Sequence, residues 1–118
     1  MIARLWRGVA VAGNADAHQR HAIGKVFPAL RDIPGHRGAC LLRRAVGART
    51  EFLAVTFWES IDAIRAFAGS DPNTAVVEPK ARGALAEFDD FVRHYEIAYD
   101  GLSVPPSDAP ARARSRGA

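Results

Sequence analysis

The segment EFLAVTFWES, from Glu51 to Ser60, is apolar on both faces of the strand that it predicts. Successive side chains of a strand point to opposite faces, so a strand with one face in water alternates apolar and polar residues. The two faces here are Phe52, Ala54, Thr56 and Trp58, and Leu53, Val55 and Phe57. Both faces therefore need a covering layer, which restricts the folds open to a chain of 118 residues.

The first half of the chain predicts a strand, a helix and a hairpin. Residues 2–12 have the pattern of a strand, and Asn14 is a suitable N-cap for a helix from Ala15 to about Arg31. Pro28 lies inside that helix and predicts an irregular last turn. The expected inward stripe is Ala17, Ile23 or Gly24, Phe27 and Leu30. Residues 37–47 predict a second strand, and Val46–Arg49 predicts its hairpin connection to the third.

The second half predicts a shorter helix and a last strand. Ser60 is a suitable N-cap for a helix that carries Ile61, Ile64 and Phe67 on one face. Residues Val92–Asp100 alternate as the fourth strand. The order β-α-β-β-α-β predicts an α+β, ferredoxin-like fold with a four-stranded antiparallel sheet.

The two helices of such a fold cover only one face of its sheet. On the other face, Leu53, Val55 and Phe57 would each forfeit about 1.5–3 kcal/mol if they stayed in water. A second copy packed face to face about a two-fold axis is the simplest cover. The chain is therefore predicted to form a homodimer through its outer sheet face.

Composition separates one domain, residues 1–102, from a tail, residues 103–118. The tail is rich in Pro, Ala and Arg and is predicted to be disordered, because it cannot bury enough apolar surface. Three arginines and one aspartate give it a charge of +2, which leaves +1 of the total +3 for the domain. A nearly neutral domain does not indicate a nucleic-acid partner.

No apolar run approaches the roughly 20 residues that span a bilayer, so no membrane partner is predicted. Arg4 and Arg7 interrupt the first residues, which therefore lack a signal-peptide pattern, and the expected location is cytoplasmic. Cys40, the one cysteine, lies in an apolar strand and is expected to be a small buried hydrophobe.

Five segments together carry a family resemblance: MIARLWRG, FPALRDIPGHRGACLLRR, EFLAVTFWES, DAIRAFAG and VRHYEI. They resemble the antibiotic biosynthesis monooxygenases, whose subunits pair into dimeric α+β barrels. The resemblance implies a pocket in each subunit between the helices and the sheet. It also implies cofactor-independent oxidation of anthrone-type aromatic compounds to quinones, with no metal.

The resemblance places Trp58 in the pocket wall, where it is a candidate catalytic residue. Its ring could contact a flat substrate and its N–H could bond a developing oxyanion, although a plain core position would account for it equally. By strand parity and by the resemblance, Trp6 and Thr56 share the helix-facing side with Trp58. Phe67 and Val77 complete the predicted substrate contacts.

His21, on the first helix, is the predicted general base, since a neutral imidazole can accept a phenol proton. His36, after the Pro-Gly turn, is predicted to contact the substrate. A solvated surface position is the alternative for both, and His18 and His94 are weaker candidates. The four histidines show no metal-ligand spacing.

Haem degradation, the activity of one branch of the family, is not expected. That branch uses an Asn on the first strand, where this chain has Gly8, and a His after the Trp strand, where SDPNTAVVEPKAR has none. The predicted function is thus a cofactor-independent monooxygenase for a small hydrophobic, aromatic or polyketide-like compound. The alternatives are a non-catalytic or isomerase-like binding dimer, and a regulatory dimer whose own side chains Phe67, Val76 and Val77 fill the pocket.

Overall fold

The computed structural model describes residues 1–77 and 79–102, so the predicted tail at 103–118 lies outside the described residues. Five strands form one sheet: β1 (Ile2–Val11), β2 (His36–Val46), β3 (Arg49–Trp58), β4 (Glu87–Phe88) and β5 (Arg93–Glu96). The order across the sheet is β2-β3-β1-β4, and β5 also pairs with β1. All pairings are antiparallel, which confirms the ferredoxin-like α+β prediction.

The predicted fourth strand, Val92–Asp100, is observed as the shorter β5, and β4 is an additional short strand that precedes it. β4 pairs with β1 near Gly8, and β5 pairs with it from Ile2 to Leu5. Between them the chain bonds to the loop that precedes α4 instead: Val92 N–H donates to the carbonyl of Asn73 at 2.8 Å, and Ala75 N–H donates to that of Asp90 at 2.8 Å. This loop therefore competes with β1 for the hydrogen bonds of residues 90–92.

The helices are α1 (Ala15–His21), α2 (Phe27–Leu30), α3 (Ile61–Ala68) and α4 (Pro79–Ala84). A 3₁₀ turn (Ala12–Asn14) precedes α1, and a π-helical segment (Ala22–Val26) joins α1 to α2. The irregularity expected from Pro28 is confirmed, since the π-helical segment lies directly before α2. A proline ring clashes with the carbonyl four residues back, and a widened turn relieves that clash.

The predicted inward stripe of the first helix is wrong in phase. Ala17, Ile23 and Gly24 are exposed, whereas Phe27 is half-buried. The buried residues of this region are Ala15, His18, Ala22 and Leu30. Two features account for the difference. The buried stripe contains a histidine, which an apolar pattern does not indicate, and the extra residue of the π-helical segment rotates the residues that follow it.

The short connections follow the predicted chemistry. Gly47 takes a φ of +61° in the β2–β3 hairpin, and the Ser60 hydroxyl accepts the N–H of Ala63 at 3.1 Å to cap α3. Asn14, by contrast, precedes α1 without a side-chain cap hydrogen bond. No helix in the described part of the chain has the length and apolar character to cross a membrane.

The register of β1 and β3 separates two faces of the sheet. Trp6 opposes Ala54 on the face that the helices cover, and Leu5 opposes Val55 on the outer face. Cys40 pairs with Val55 and is exposed, so the expectation of a buried cysteine is wrong for the single chain. The reason is that β2 is an edge strand and no described element of the chain covers its outer side.

Gly35 is predicted to tolerate no side chain. Its φ is +87°, and a Cβ there would lie 2.4 Å from the Cβ of Ala63 on α3. Gly35→Ala should lower the free energy of unfolding by about 2–5 kcal/mol, combining about 1–2 for positive φ with about 1–3 for overpacking. Urea unfolding measures this change.

Gly24→Ala is the matched control, because no atom lies within 4 Å of the added Cβ. It should leave stability unchanged or raise it by up to about 1 kcal/mol. Equal losses in the two variants would contradict the close approach of Gly35 to α3.

Candidate functional site

A cavity of about 170 Å³ lies between the helix-facing side of the sheet and the first helical region. The sheet contributes charged, aromatic and small side chains to its wall: Arg4, Trp6, Leu41, Phe52, Ala54 and Thr56. The helical region and the later loops contribute His18, Ala22, Val26, Leu30, Phe67, Val76, Val77 and Val92, among others. The wall is therefore mostly apolar, with few polar groups, as in a small-molecule site.

Four of the predicted substrate contacts meet at this cavity: Trp6, Thr56, Phe67 and Val77. Phe67, Val76 and Val77 line the space without filling it. This is the arrangement expected of a ligand-binding protein, and it argues against the regulatory alternative with a filled pocket.

Trp6 presents an apolar ring to the cavity. Its indole N–H donates to the carbonyl of Asp89 at 2.8 Å, and its ring lies 6.2 Å from that of Phe88. The hydrogen bond fixes the orientation of the ring and uses its one donor. Trp6 can therefore offer a ligand contact area but no hydrogen bond.

Trp58 lies behind the cavity wall. It is fully buried, its N–H donates to Oγ1 of Thr56 at 2.8 Å, and its ring stacks on Phe67 at 5.6 Å and 20°. It is absent from the residues that line the cavity, so the core position is the one observed. Trp58 holds two wall residues in place, and its donor is occupied.

His18 is the histidine that the structure places in the cavity. It is 4% exposed, and its ring meets Phe52 edge-on at 4.8 Å. Nδ1 is buried and has no hydrogen-bond partner in the described residues. Burial, and then the neighbouring His21, lower the pKa of His18, so the imidazole is neutral at pH 7 and can accept a proton.

His21 and His36 lie elsewhere. His21 is half-buried and is not among the residues that line the cavity, so the expectation that it points into the pocket is wrong. His36 begins β2, where its ring meets Trp58 edge-on at 5.0 Å, and it borders a separate groove beside α2. The first error came from the expected stripe through Ala17 and Ile23, because both are exposed and the buried face of α1 carries Ala15 and His18 instead.

Arg4 is a cavity residue that sequence reasoning missed. It is 4% exposed, and its guanidinium lies 5.7 Å from the centre of the Phe67 ring. Burial lowers the pKa of Arg4 to about 10, so it stays protonated at neutral pH. The signal was its even position on β1, which puts it in register with Thr56 on the helix-facing side.

Residues 1–77 and 79–102 contain no group of three or more His, Cys, Asp or Glu side chains that could hold a metal ion. The segment considered for a haem ligand has no histidine, and His18 supplies an imidazole to the cavity from another element. The volume fits less well. A cavity of about 150 Å³ accommodates benzene, so a tetrapyrrole would require the walls to move apart.

A ferredoxin-like α+β sheet whose helices enclose an apolar cavity is thus the architecture of the described chain. Residues 10–79 match the family of antibiotic biosynthesis monooxygenases, and the chain belongs to that family. The resemblance seen in the sequence is thereby confirmed. No curated protein matches the chain.

Solved structures of the same fold include members with different activities. A putative antibiotic biosynthesis monooxygenase from Bacillus cereus is 14% identical with a TM-score of 0.61, over 89% of this chain and 98% of that one. The haem degrader MhuD from Mycobacterium tuberculosis is 21% identical with a TM-score of 0.56, over 85% and 98%. A Streptomyces coelicolor monooxygenase bound to nanaomycin D is 22% identical with a TM-score of 0.54, over 88% and 90%.

Similarity at these identities establishes the fold only, and the activity has to be inferred from the residues of the site. The neighbours include both a haem degrader and a monooxygenase, so similarity alone does not choose between the two.

Acid should destabilise the fold as the pH falls below about 6.5. Burial is the main cause that lowers the pKa of His18, His36 and His94 below the ordinary value of an imidazole. The unfolded chain then binds more protons than the folded one, so the stability is complete above pH 6.5 and is lost as the pH falls. Urea unfolding at pH 7.5 and pH 5 should show a lower midpoint in acid.

His18→Gln should reduce this pH dependence. Hydrogen bonds from Arg7 and Arg44 hold the pKa of the Glu51 carboxyl below its ordinary value of 4.5. The contribution of Glu51 to the stability of the fold is therefore lost only at a lower pH than that of the histidines. A midpoint that stays constant from pH 7.5 to 5 would contradict the burial of neutral imidazoles.

Proposed function

We propose that this protein is a monooxygenase, independent of metal and flavin, that oxidises a small flat aromatic phenol or enol. The observation that carries the proposal is the neutral imidazole of His18 in an apolar, aromatic cavity. Such a cavity binds a flat ring through its walls and supplies one base. The proposal transfers the role of general base from His21 to His18.

The chemistry needs little from the protein beyond binding and ionisation. His18 accepts the proton of the bound phenol or enol, and the resulting anion gives an electron to dioxygen. In the oxidation of an anthrone, a CH₂ group becomes C=O. One oxygen atom enters the product and the other leaves as water with the two hydrogens, so the reaction balances without an added reductant.

The size of the cavity limits the substrate. About 170 Å³ holds one ring, by comparison with the cavity that binds benzene. A one-ring phenol or enol fits inside, against Trp6 and Phe67, whereas a three-ring anthrone, whose oxidised CH₂ is in the middle ring, requires the walls to move apart. Trp58 acts indirectly, by holding Thr56 and Phe67.

The protein acts as a homodimer in this proposal, with the outer sheet faces in contact to form the dimeric barrel. Apolar residues of the outer face include Leu42 and Tyr95, which are 50% and 53% exposed. Glu51 bonds Arg7 and Arg44, each at 2.6 Å, and marks a charged margin on the same face. An apolar area with a charged rim is the usual form of a protein interface.

His18→Gln should lower the rate of quinone formation from an anthrone by about 10²–10⁴-fold, the usual contribution of a general base. His21→Gln is the matched control, because it removes an imidazole one helical turn away and outside the cavity wall. Quinone absorbance and oxygen uptake measure the rate. In wild type, kcat/KM should decline in acid with a midpoint below 6.5, because the pKa of His18 is lowered.

No acceleration over buffer with phenols and anthrones of one to three rings would refute the oxygenase proposal. Proton exchange at the ligand without oxygen uptake would instead support the isomerase-like alternative. Loss of activity in His21→Gln alone would return the base to that residue.

Leu42→Glu should convert the dimer to a monomer at micromolar concentration, because the new charge lies in the apolar part of the outer face, where Leu42 is 50% exposed and opposes Leu53. Sedimentation velocity measures the change. Ile23→Glu is the control, since Ile23 is an equally apolar residue, 55% exposed, on the helical side of the domain. A wild-type protein that sediments as a monomer would contradict the proposed assembly.

A further inference from the structure

A buried positive charge without a carboxylate partner lies in the wall of the cavity. Arg4 is 4% exposed, and none of its described contacts is to an Asp or Glu side chain. The described residues that line the cavity include no Asp or Glu either. A buried charge costs several kcal/mol unless an opposite charge or hydrogen bonds compensate it.

Hydrogen bonds compensate the charge of Arg4 only in part. Nη1 donates to the carbonyl of Pro72, and Nη2 donates to that of Thr74 at 2.9 Å. Nη1 also lies 3.0 Å from Nε2 of His94, which must accept because a guanidinium only donates. Three of the five N–H groups are thereby engaged, and two have no partner in the described residues.

The charged and titratable groups around Arg4 do not neutralise it. His94, on β5, has its pKa lowered by burial and by the charge of Arg4, and accepts as the neutral ring. Asp71, in the adjoining loop, uses its two oxygens on the N–H of Asn73 and the hydroxyl of Thr74, each at 3.0 Å. His18, elsewhere in the wall, is neutral. The described residues of the cavity wall therefore carry a net charge of +1.

We propose that the cavity selects aromatic acids, ligands that bear a carboxylate or an ionised phenol on the ring, and that Arg4 recognises the negative group. The inference rests on the proposed function in one respect, that the cavity is the ligand site, and it adds the class of ligand. A guanidinium offers paired donors that match the two oxygens of a carboxylate, and it also stabilises a single phenolate oxygen. The apolar walls exclude water and strengthen that attraction.

The test uses matched one-ring ligands that need no turnover. Benzoate and benzamide have nearly the same shape and differ in charge. Benzoate should bind at least about tenfold more tightly to the wild-type protein at pH 7.5, as measured by calorimetry or by Trp fluorescence. For 4-nitrophenol, whose phenolate absorbs in the visible, the pKa of the bound ligand should fall by about 1–3 units.

Variants assign these effects to one residue. Arg4→Gln should abolish the preference for benzoate and the pKa shift, whereas Arg4→Lys should retain part of both because it keeps the charge. Arg65→Gln is the control, an exposed arginine of α3 that pairs with Asp62. If Arg4→Gln fails to fold, the two measurements on the wild-type protein still test whether the cavity prefers an anionic ligand, because they compare ligands on one protein.

The outcomes separate the two proposals. Equal binding of benzoate and benzamide, or an unshifted nitrophenol pKa, would show that Arg4 only anchors the loop at 72–74 and would overturn this inference alone. Binding of no aromatic compound at all would overturn the ligand site itself and with it the proposed function. A benzoate preference that persists in Arg4→Gln would assign recognition to another residue and would also overturn the inference.

Discussion

The pairing of β1 with β3 over ten residues is the constraint on which the remaining structure depends. It decides that Arg4 and Trp6 face the helices while Leu5 faces outward, because the side chains of a strand alternate. A slip of one residue would exchange the two faces. The guanidinium would then leave the cavity, and an apolar side chain would take its place. The cavity and the outer face are thus two results of one register.

The cavity wall contains two polar side chains with different chemical properties, one a neutral base and the other a cation. His18 is neutral because it is buried among apolar groups, and so it can take a proton. Arg4 is also buried, yet it remains charged, because even a pKa of about 10 lies well above neutrality. A base that removes a proton and a cation that favours the resulting anion would assist the same ionisation. Surrounding apolar side chains make the attraction of Arg4 for that anion stronger than it would be in water.

The order of elements could be predicted from the sequence because its signals are local. Gly47 indicates its turn and Ser60 its helix start without reference to any distant residue. The positions of His18 and Arg4 in the cavity depend on helix phase and on strand register, which long-range packing decides. The hydrogen bonds of residues 90–92 to the loop before α4 likewise depend on partners distant in the sequence, whereas the N–H of Trp58 bonds Thr56, only two residues away. Family resemblance identified the location of the cavity more reliably than the residues that act in it.

The π-helical segment from Ala22 to Val26 also bears on how relatives of this protein can diverge. A regular helix turns by about 100° per residue, so one inserted residue rotates everything beyond it relative to everything before. Loss of one residue from the segment would therefore change whether the side chains of His18 and Leu30 face the same cavity. Gain or loss of a single codon here would therefore change the residues that line the cavity without changing the sheet.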